Sequence, residues 1–369
     1  IGLISYSLYL WHFPVFAFAR NKEIFLSNFD KLELIFITTF LSILSYIFVE
    51  KPFRNKNFIS FKIVSFILLI FLTFFIIINI LSVKNDGFEN RLHVFLKIHE
   101  REKLEYSLKD EKGICFDRTK NFCNFNKSSS NTIIMIGDSH SAVLSKKLYN
   151  ETIEKNVNFI PISQGTCVYL PKYKKIETKS KQEFRNCTLQ SKKLTEDIIK
   201  DKPGAIIILS GNFKEHFYKN NKWSYLNQSN LEPLEGFVKS VEKLLKNGNK
   251  VILLYPVPTP GFHVVRKLMS HVPKKEFDPN EFLLNNPLTF NIEDYYLNNK
   301  KIIDAFNSLN HKNLRKILSG KVFCDEDSKI CKTHHGSKVY YRDKYHLTVE
   351  GVEILSKNIL LEINNFLDK

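Results

Sequence analysis

Thr132-Ile-Ile-Met-Ile-Gly-Asp-Ser-His140 is the stretch on which the reading of this chain turns. The apolar, β-branched run 133–136 stops at Gly137-Asp138-Ser139-His140, and helical spacing follows at once in Ala142-Val143-Leu144 and Leu148-Tyr149. Strand, tight turn, helix lifts a serine hydroxyl to the carboxyl end of a sheet, beside a helix N-terminus. A serine hydroxyl alone is a weak nucleophile; it needs a base, and the base needs an orienting carboxylate. Asp343-Lys-Tyr-His346, near the other end of the chain, offers both on one short loop, with Thr348 placed to cap the helix that follows. Ser139 is thus the candidate nucleophile, His346 its base and Asp343 the orienting acid. Of the other histidines considered as bases, His334 and His335 lie in a polar loop expected at the surface, and His140 is expected to support the turn.

Working outward, the spacing predicts βα units. Strands are expected at 132–136, 157–161, 205–209 and 250–255, with late candidates at 322–323 and 339–341. Helices are expected near 141–154, 189–200, 235–247, 300–319 and 349–366. Such an alternation predicts an α/β fold, a three-layer α/β/α sandwich on a flavodoxin-like parallel sheet with its site at the carboxyl ends of the strands. Residues 259–299 hold several prolines and read as a long loop, a lid or an acceptor-binding surface.

The first eighty or so residues differ sharply from the rest. Residues 1–18, 34–49 and 63–83 are apolar enough for about three membrane spans. The basic loop 50–62 between the second and third belongs in the cytoplasm by the positive-inside rule, which sends everything after the third span to the far side. His12 and Glu50 are polar residues within or at the edge of these spans and are candidates for function. The first span has no basic leader and is not a signal peptide. The domain expectation is therefore 1–84 transmembrane, 85–112 a linker with weak helical spacing at 92–104, and 113–369 catalytic.

Charge and cysteines set further bounds. The formal net charge of +16 is carried mostly by lysine. It suits anionic membranes or phosphorylated glycans, but a general preference for Lys, Asn, Ile and Phe is the better reading. No basic region interleaved with aromatics points to nucleic acid. The six cysteines, Cys115, Cys123, Cys167, Cys187, Cys324 and Cys331, all follow the apolar part, and none has zinc-site spacing. Disulfides in an oxidising compartment are the better reading, and no metal is expected. Fifteen pairings exist; short spacing suggests Cys115–Cys123, Cys167–Cys187 and Cys324–Cys331.

The Gly-Asp-Ser-His and Asp-x-x-His motifs at these two places resemble the SGNH (GDSL-like) hydrolase superfamily over roughly residues 110–369. That resemblance implies the Ser139–His346–Asp343 triad. It also implies oxyanion donors on the loops after the second and third strands, where Gly165 (Ser-Gln-Gly-Thr-Cys) and Asn212 (Leu-Ser-Gly-Asn-Phe) stand; the latter departs from the Gly-x-Asn-Asp pattern of free esterases. Residues 2–14 (Gly-Leu-Ile-Ser-Tyr-Ser-Leu-Tyr-Leu-Trp-His-Phe-Pro) with Val49-Glu-Lys-Pro-Phe-Arg54 look like the end of an acyltransferase-3 family membrane domain. The two resemblances together imply the C-terminal part of a bacterial inner-membrane, multi-pass O-acyltransferase whose SGNH domain lies in the periplasm. Its acyl donor is expected to be acetyl-CoA, handled by preceding membrane helices, with no bound cofactor. Its acceptor is expected to be a cell-surface polysaccharide such as lipopolysaccharide O-antigen. A carbohydrate esterase with the same triad and a non-catalytic glycan-binding module are the rival readings.

Overall fold

Long apolar runs wind into helices, because in hydrocarbon only a backbone that satisfies its own N–H and C=O groups is stable. In the computed structural model these are α1 (Ser5–Asn21), α2 (Asn28–Ser45) and α3 (Phe61–Lys84), each part of a helical run long and apolar enough to cross a membrane. The structure describes residues 2–21, 28–54, 60–85, 108–218, 222–227, 231–272 and 278–368. The chain divides into two units, Ile1–Arg91 and Leu92–Lys369. The boundary thus falls inside the expected 85–112 linker, and the helix expected at 92–104 lies outside the described residues.

Within the first unit, Ser7, Ala19, Thr38 and Ser42 are buried where α1 and α2 pack. Small side chains let two helix backbones approach closely in a membrane setting. The helical backbone of α2 continues through a wide π-turn, Tyr46–Glu50, into Lys51–Arg54. Pro52 has no N–H to return to the carbonyl four residues back, which loosens the winding there. Glu50, expected to open the basic loop, is therefore helical. It accepts a hydrogen bond from Ser7 Oγ at 3.0 Å and pairs with Arg54 at 3.1 Å. His12 Nδ1 lies 2.8 Å from the Tyr9 carbonyl of its own helix.

The second unit is built on a sheet of five parallel strands: β1 (Thr132–Gly137), β2 (Asn158–Ser163), β3 (Ile206–Ser210), β4 (Lys250–Leu254) and β5 (Leu314–Ile317), in the order β2-β1-β3-β4-β5. Ile133 stands opposite Phe159 on one side and Ile206 on the other. Successive side chains on a strand point to opposite faces, and here both faces are covered. Ile133, Met135, Ile206, Ile208 and Ile252 pack toward α4 (Ser139–Thr152) and, near the C-terminus, α8 (Val349–Leu367). Ile134, Ile136, Ile207, Leu209 and Val251 pack with residues of α5 (Leu189–Lys200), α6 (Pro233–Lys246) and α7 (Ile292–Ser308). This is the expected three-layer sandwich with the flavodoxin-like order, and its switch point lies between β1 and β3.

Three expectations need correction. The helix expected at 300–319 ends at Ser308, and Leu314–Ile317 is the fifth strand. The buried face of α7 runs out at Phe306, and the polar Asn310-His311-Lys312-Asn313 turns the chain into an edge strand of four residues, too short to show alternation. Val322 and Phe323 end a short helix, Ser319–Phe323, and the later strand is confined to Lys338–Val339. The stretch 259–299 is no open loop: it carries helices Val264–His271 and Pro279–Asn285, strand Thr289–Asn291 and the start of α7. Asp278, with Pro279 next to it, caps one of these helices, so the residues that resemble loop punctuation are helix starts.

Candidate active site

Ser139 owes its position to the two residues before it. A Cβ on Gly137 would lie 1.8 Å from the Ser210 carbonyl oxygen, so only glycine lets the ends of β1 and β3 come this close. Asp138 is the N-cap of α4, its Oδ1 accepting the His140 N–H at 2.8 Å. Ser139 is thereby the first residue of the helix, where backbone N–H groups lack intrahelical partners. Its Oγ lies 2.8 Å from His346 Nε2.

The Asp343–His346 loop is held by its own acid. Asp343 Oδ1 accepts the backbone N–H of Tyr345 at 2.7 Å and of His346 at 2.8 Å, and Oδ2 lies 2.8 Å from His346 Nδ1. Burial raises the Asp343 carboxyl, but the hydrogen bonds from the His346 ring and the two amides outweigh it and leave the acid below the usual carboxylate range. A carboxylate at Nδ1 fixes the imidazole proton there, which leaves Nε2 as an acceptor for the Ser139 hydroxyl. Arg342 Nε stands 3.8 Å from the same Oδ2. Thr348 caps α8 as expected, accepting the Gly351 N–H at 3.1 Å.

The other histidines divide. His140 is buried with its ring centroid 5.1 Å from that of His346, and burial pushes it down to about 4, so it is neutral. His335 is exposed, but His334 is not the surface residue expected. It is buried, accepts the Leu288 N–H at Nε2 over 2.8 Å, and faces the Gly336 carbonyl with Nδ1.

Gly165 and Asn212 follow β2 and β3, and the backbone amide of each is engaged by a carboxylate of this chain. Gly165 N–H donates to Asp117 Oδ1 at 2.5 Å, and Asn212 N–H donates to Asp138 Oδ2 at 2.8 Å. Asp117 sits in the left-handed region at φ 64°, on the segment closed by the Cys115–Cys123 disulfide. All three pairings suggested by spacing are formed, with Cys167–Cys187 beside Gly165 and Cys324–Cys331 across a short antiparallel strand pair.

Several residues around the site escaped sequence reasoning. His216 is buried, its Nε2 donating to Asp138 Oδ2 at 3.2 Å and its Nδ1 2.7 Å from the Tyr225 hydroxyl. Burial lowers His216 more than its carboxylate partner raises it, so the ring is neutral and this contact is a hydrogen bond rather than an ion pair. Asp138, raised by burial, is pulled down to about 2 by His216, the charge balance around it and the Asn212 amide. Lys175, also buried, donates to the Thr166 carbonyl at 2.5 Å and lies 3.9 Å from the Trp223 ring, and burial pushes its ammonium down to about 7. The first motif contains Asp138 but does not disclose its contacts, and nothing near His216 or Lys175 in the sequence marks them.

Residues 107–360 match a family model described as an SGNH domain fused to AT3 domains. The O-acetyltransferase OatA of Staphylococcus aureus is 36% identical over 63 residues, 16% of this chain and 10% of the relative. A Bacillus subtilis protein described as a putative peptidoglycan O-acetyltransferase, YrhL, is 41% identical over 64 residues, 17% of this chain and 10% of the relative. The matched segments thus span about a tenth of the length of these curated relatives. Among solved structures, the periplasmic domain of a lipopolysaccharide acetyltransferase from Salmonella ser. Paratyphi A is similar at 15% identity and a TM-score of 0.48, covering 74% of this chain and 98% of that one.

Proposed function

Because this chain belongs to the family of SGNH domains fused to AT3 membrane domains, we propose that it is an O-acyltransferase of the cell envelope. In this reading it transfers an acetyl-class group to a hydroxyl of a surface polysaccharide such as lipopolysaccharide O-antigen. The membrane helices anchor it, with the basic stretch 50–62 on the cytoplasmic side and the disulfide-bearing α/β unit in the periplasm. Membrane helices of the acyltransferase-3 type bring the acyl group from acetyl-CoA.

The observation that carries the reading is the relay of 2.8 Å contacts from Ser139 Oγ to His346 and from His346 to Asp343, assembled from residues 207 apart. In the first half-reaction His346 Nε2 takes the Ser139 proton as Oγ bonds to the acyl carbonyl carbon. The bond from that carbon to the donor's leaving atom then breaks, and the leaving atom receives the proton. In the second half-reaction a sugar hydroxyl gives its proton to His346, bonds to the same carbon, and Ser139 Oγ leaves and is reprotonated. Asp343 stabilises the imidazolium formed in each half. The Ser139 amide at the start of α4 supports the oxyanion, joined by the Gly165 amide once Asp117 yields and by the side-chain amide of Asn212, whose backbone N–H stays on Asp138. Water competes with the sugar, so transfer requires that the site prefer the sugar hydroxyl.

The test uses the chain in detergent with an activated acetyl ester, with and without O-antigen polysaccharide, beside Ser139→Ala. Acetylated sugar that disappears in the variant supports the transferase. Ester cleavage indifferent to the sugar replaces it with an esterase, and activity equal in the variant removes Ser139 from the mechanism.

A further inference from the structure

Beside Ser139 the α/β unit holds a cavity of about 250 Å³. Its walls are chiefly apolar: Leu108, Ile114 and Phe116 on one side, Ala142 and Val143 of α4 on another, and Pro161 of β2. Two hydroxyls also line it, and both are tied within the protein: Ser145 Oγ donates to the Ser141 carbonyl at 3.0 Å, and Ser163 Oγ lies 3.0 Å from Ser141 Oγ. Among the described residues that line it, Arg342 is the one that carries a charge, and its guanidinium lies 3.8 Å from Asp343.

Resting on the reading that Ser139 carries the acyl group, we propose that this cavity is the acyl pocket and that it takes linear, saturated chains of about four to six carbons as well as acetyl. Three properties of the site support that assignment. An acyl group on Ser139 begins at a residue of the cavity wall, so an apolar space lies beside its chain. At roughly 30 Å³ per water in the liquid, the cavity holds about eight waters. An acetyl group, with three heavy atoms, leaves more than half of that space against apolar wall, whereas a six-carbon acyl group has seven heavy atoms and comes close to filling it. With both hydroxyls tied within the protein, the chiefly apolar walls suit a hydrocarbon chain.

The experiment measures kcat/KM of the chain in detergent on p-nitrophenyl acetate, butyrate and hexanoate, each beside Ser139→Ala. Each fully buried methylene is expected to raise kcat/KM by up to about fourfold, so hexanoate should exceed acetate. Wild-type hydrolysis that depends on Ser139 but is fastest on acetate overturns the pocket and leaves the serine reading intact. Hydrolysis as fast in Ser139→Ala as in the wild type removes the serine reading and this proposal with it. Ala142→Phe, one helical turn from Ser139 and aimed at filling the space, should lower the hexanoate-to-acetate ratio tenfold or more; an unchanged ratio overturns the assignment. If that variant does not fold, inactivation of the wild type by fluorophosphonates with ethyl and hexyl chains decides: faster reaction of the hexyl reagent supports the pocket, and slower or equal reaction overturns it.

Discussion

The two sides of the candidate site are in different states. On one side, Ser139, His346 and Asp343 meet in side-chain hydrogen bonds of 2.8 Å, with nothing of the chain between them. On the other, the amides of Gly165 and Asn212 are already bonded to Asp117 and Asp138. On the first side the side chains bond to one another, while on the second the two amides hold the protein's own carboxylates. A backbone N–H that already holds a carboxylate is not available to a second anion, so the difference lies in what must leave before such an amide can serve one.

The strongest way to break this comparison is at the assembled side. Ser139→Ala and His346→Ala should each lower acyl transfer about a thousandfold or more, as in other serine triads, with unchanged thermal unfolding. A loss of only a few-fold in steady-state rates would mean that the relay is not the machinery. His140, beside His346, sharpens the same side through stability. Its pKa is about 4 when folded and about 6.5 when unfolded. Between those values the unfolded chain binds more protons, so falling pH favours unfolding across that window. His334, also held at about 4, adds to the same slope. The unfolding midpoint should therefore drop from pH 6.5 toward 4, and His140→Gln should flatten part of the drop; a midpoint independent of pH in this range would contradict the neutral burial of both rings.

The occupied side gives smaller effects. His216→Ala leaves the buried Asp138 carboxylate short of one partner and should cost about 1–3 kcal/mol of stability, read from denaturant unfolding. Asp117→Ala releases the Gly165 amide and should raise kcat several-fold if that amide serves the oxyanion. An unchanged or lower kcat in a variant with wild-type unfolding would assign Asp117 to loop structure alone.

Much of this was legible because it is local. Strand, turn and helix are adjacent in 132–148, and the sheet's burial on both faces follows from isoleucines on both faces of β1 and β3. The edge strand Leu314–Ile317 was illegible for a physical reason: it is four residues long and follows α7 without a proline or glycine, so helical spacing runs across the junction. Asn212 was legible as a place but not as a contact, since its partner Asp138 lies 74 residues earlier.

By itself the sequence determined the layer architecture and the apolar spans, and it named Ser139, His346 and Asp343 as candidates and suggested the short-range disulfide pairs, because each is written in periodicity or in residue types at close spacing. Only the tertiary structure decided which amides are engaged, that His216 backs Asp138 from 78 residues away, and that an apolar cavity opens beside Ser139. Those depend on where several loops end in space at once, and no single stretch of chain carries that information.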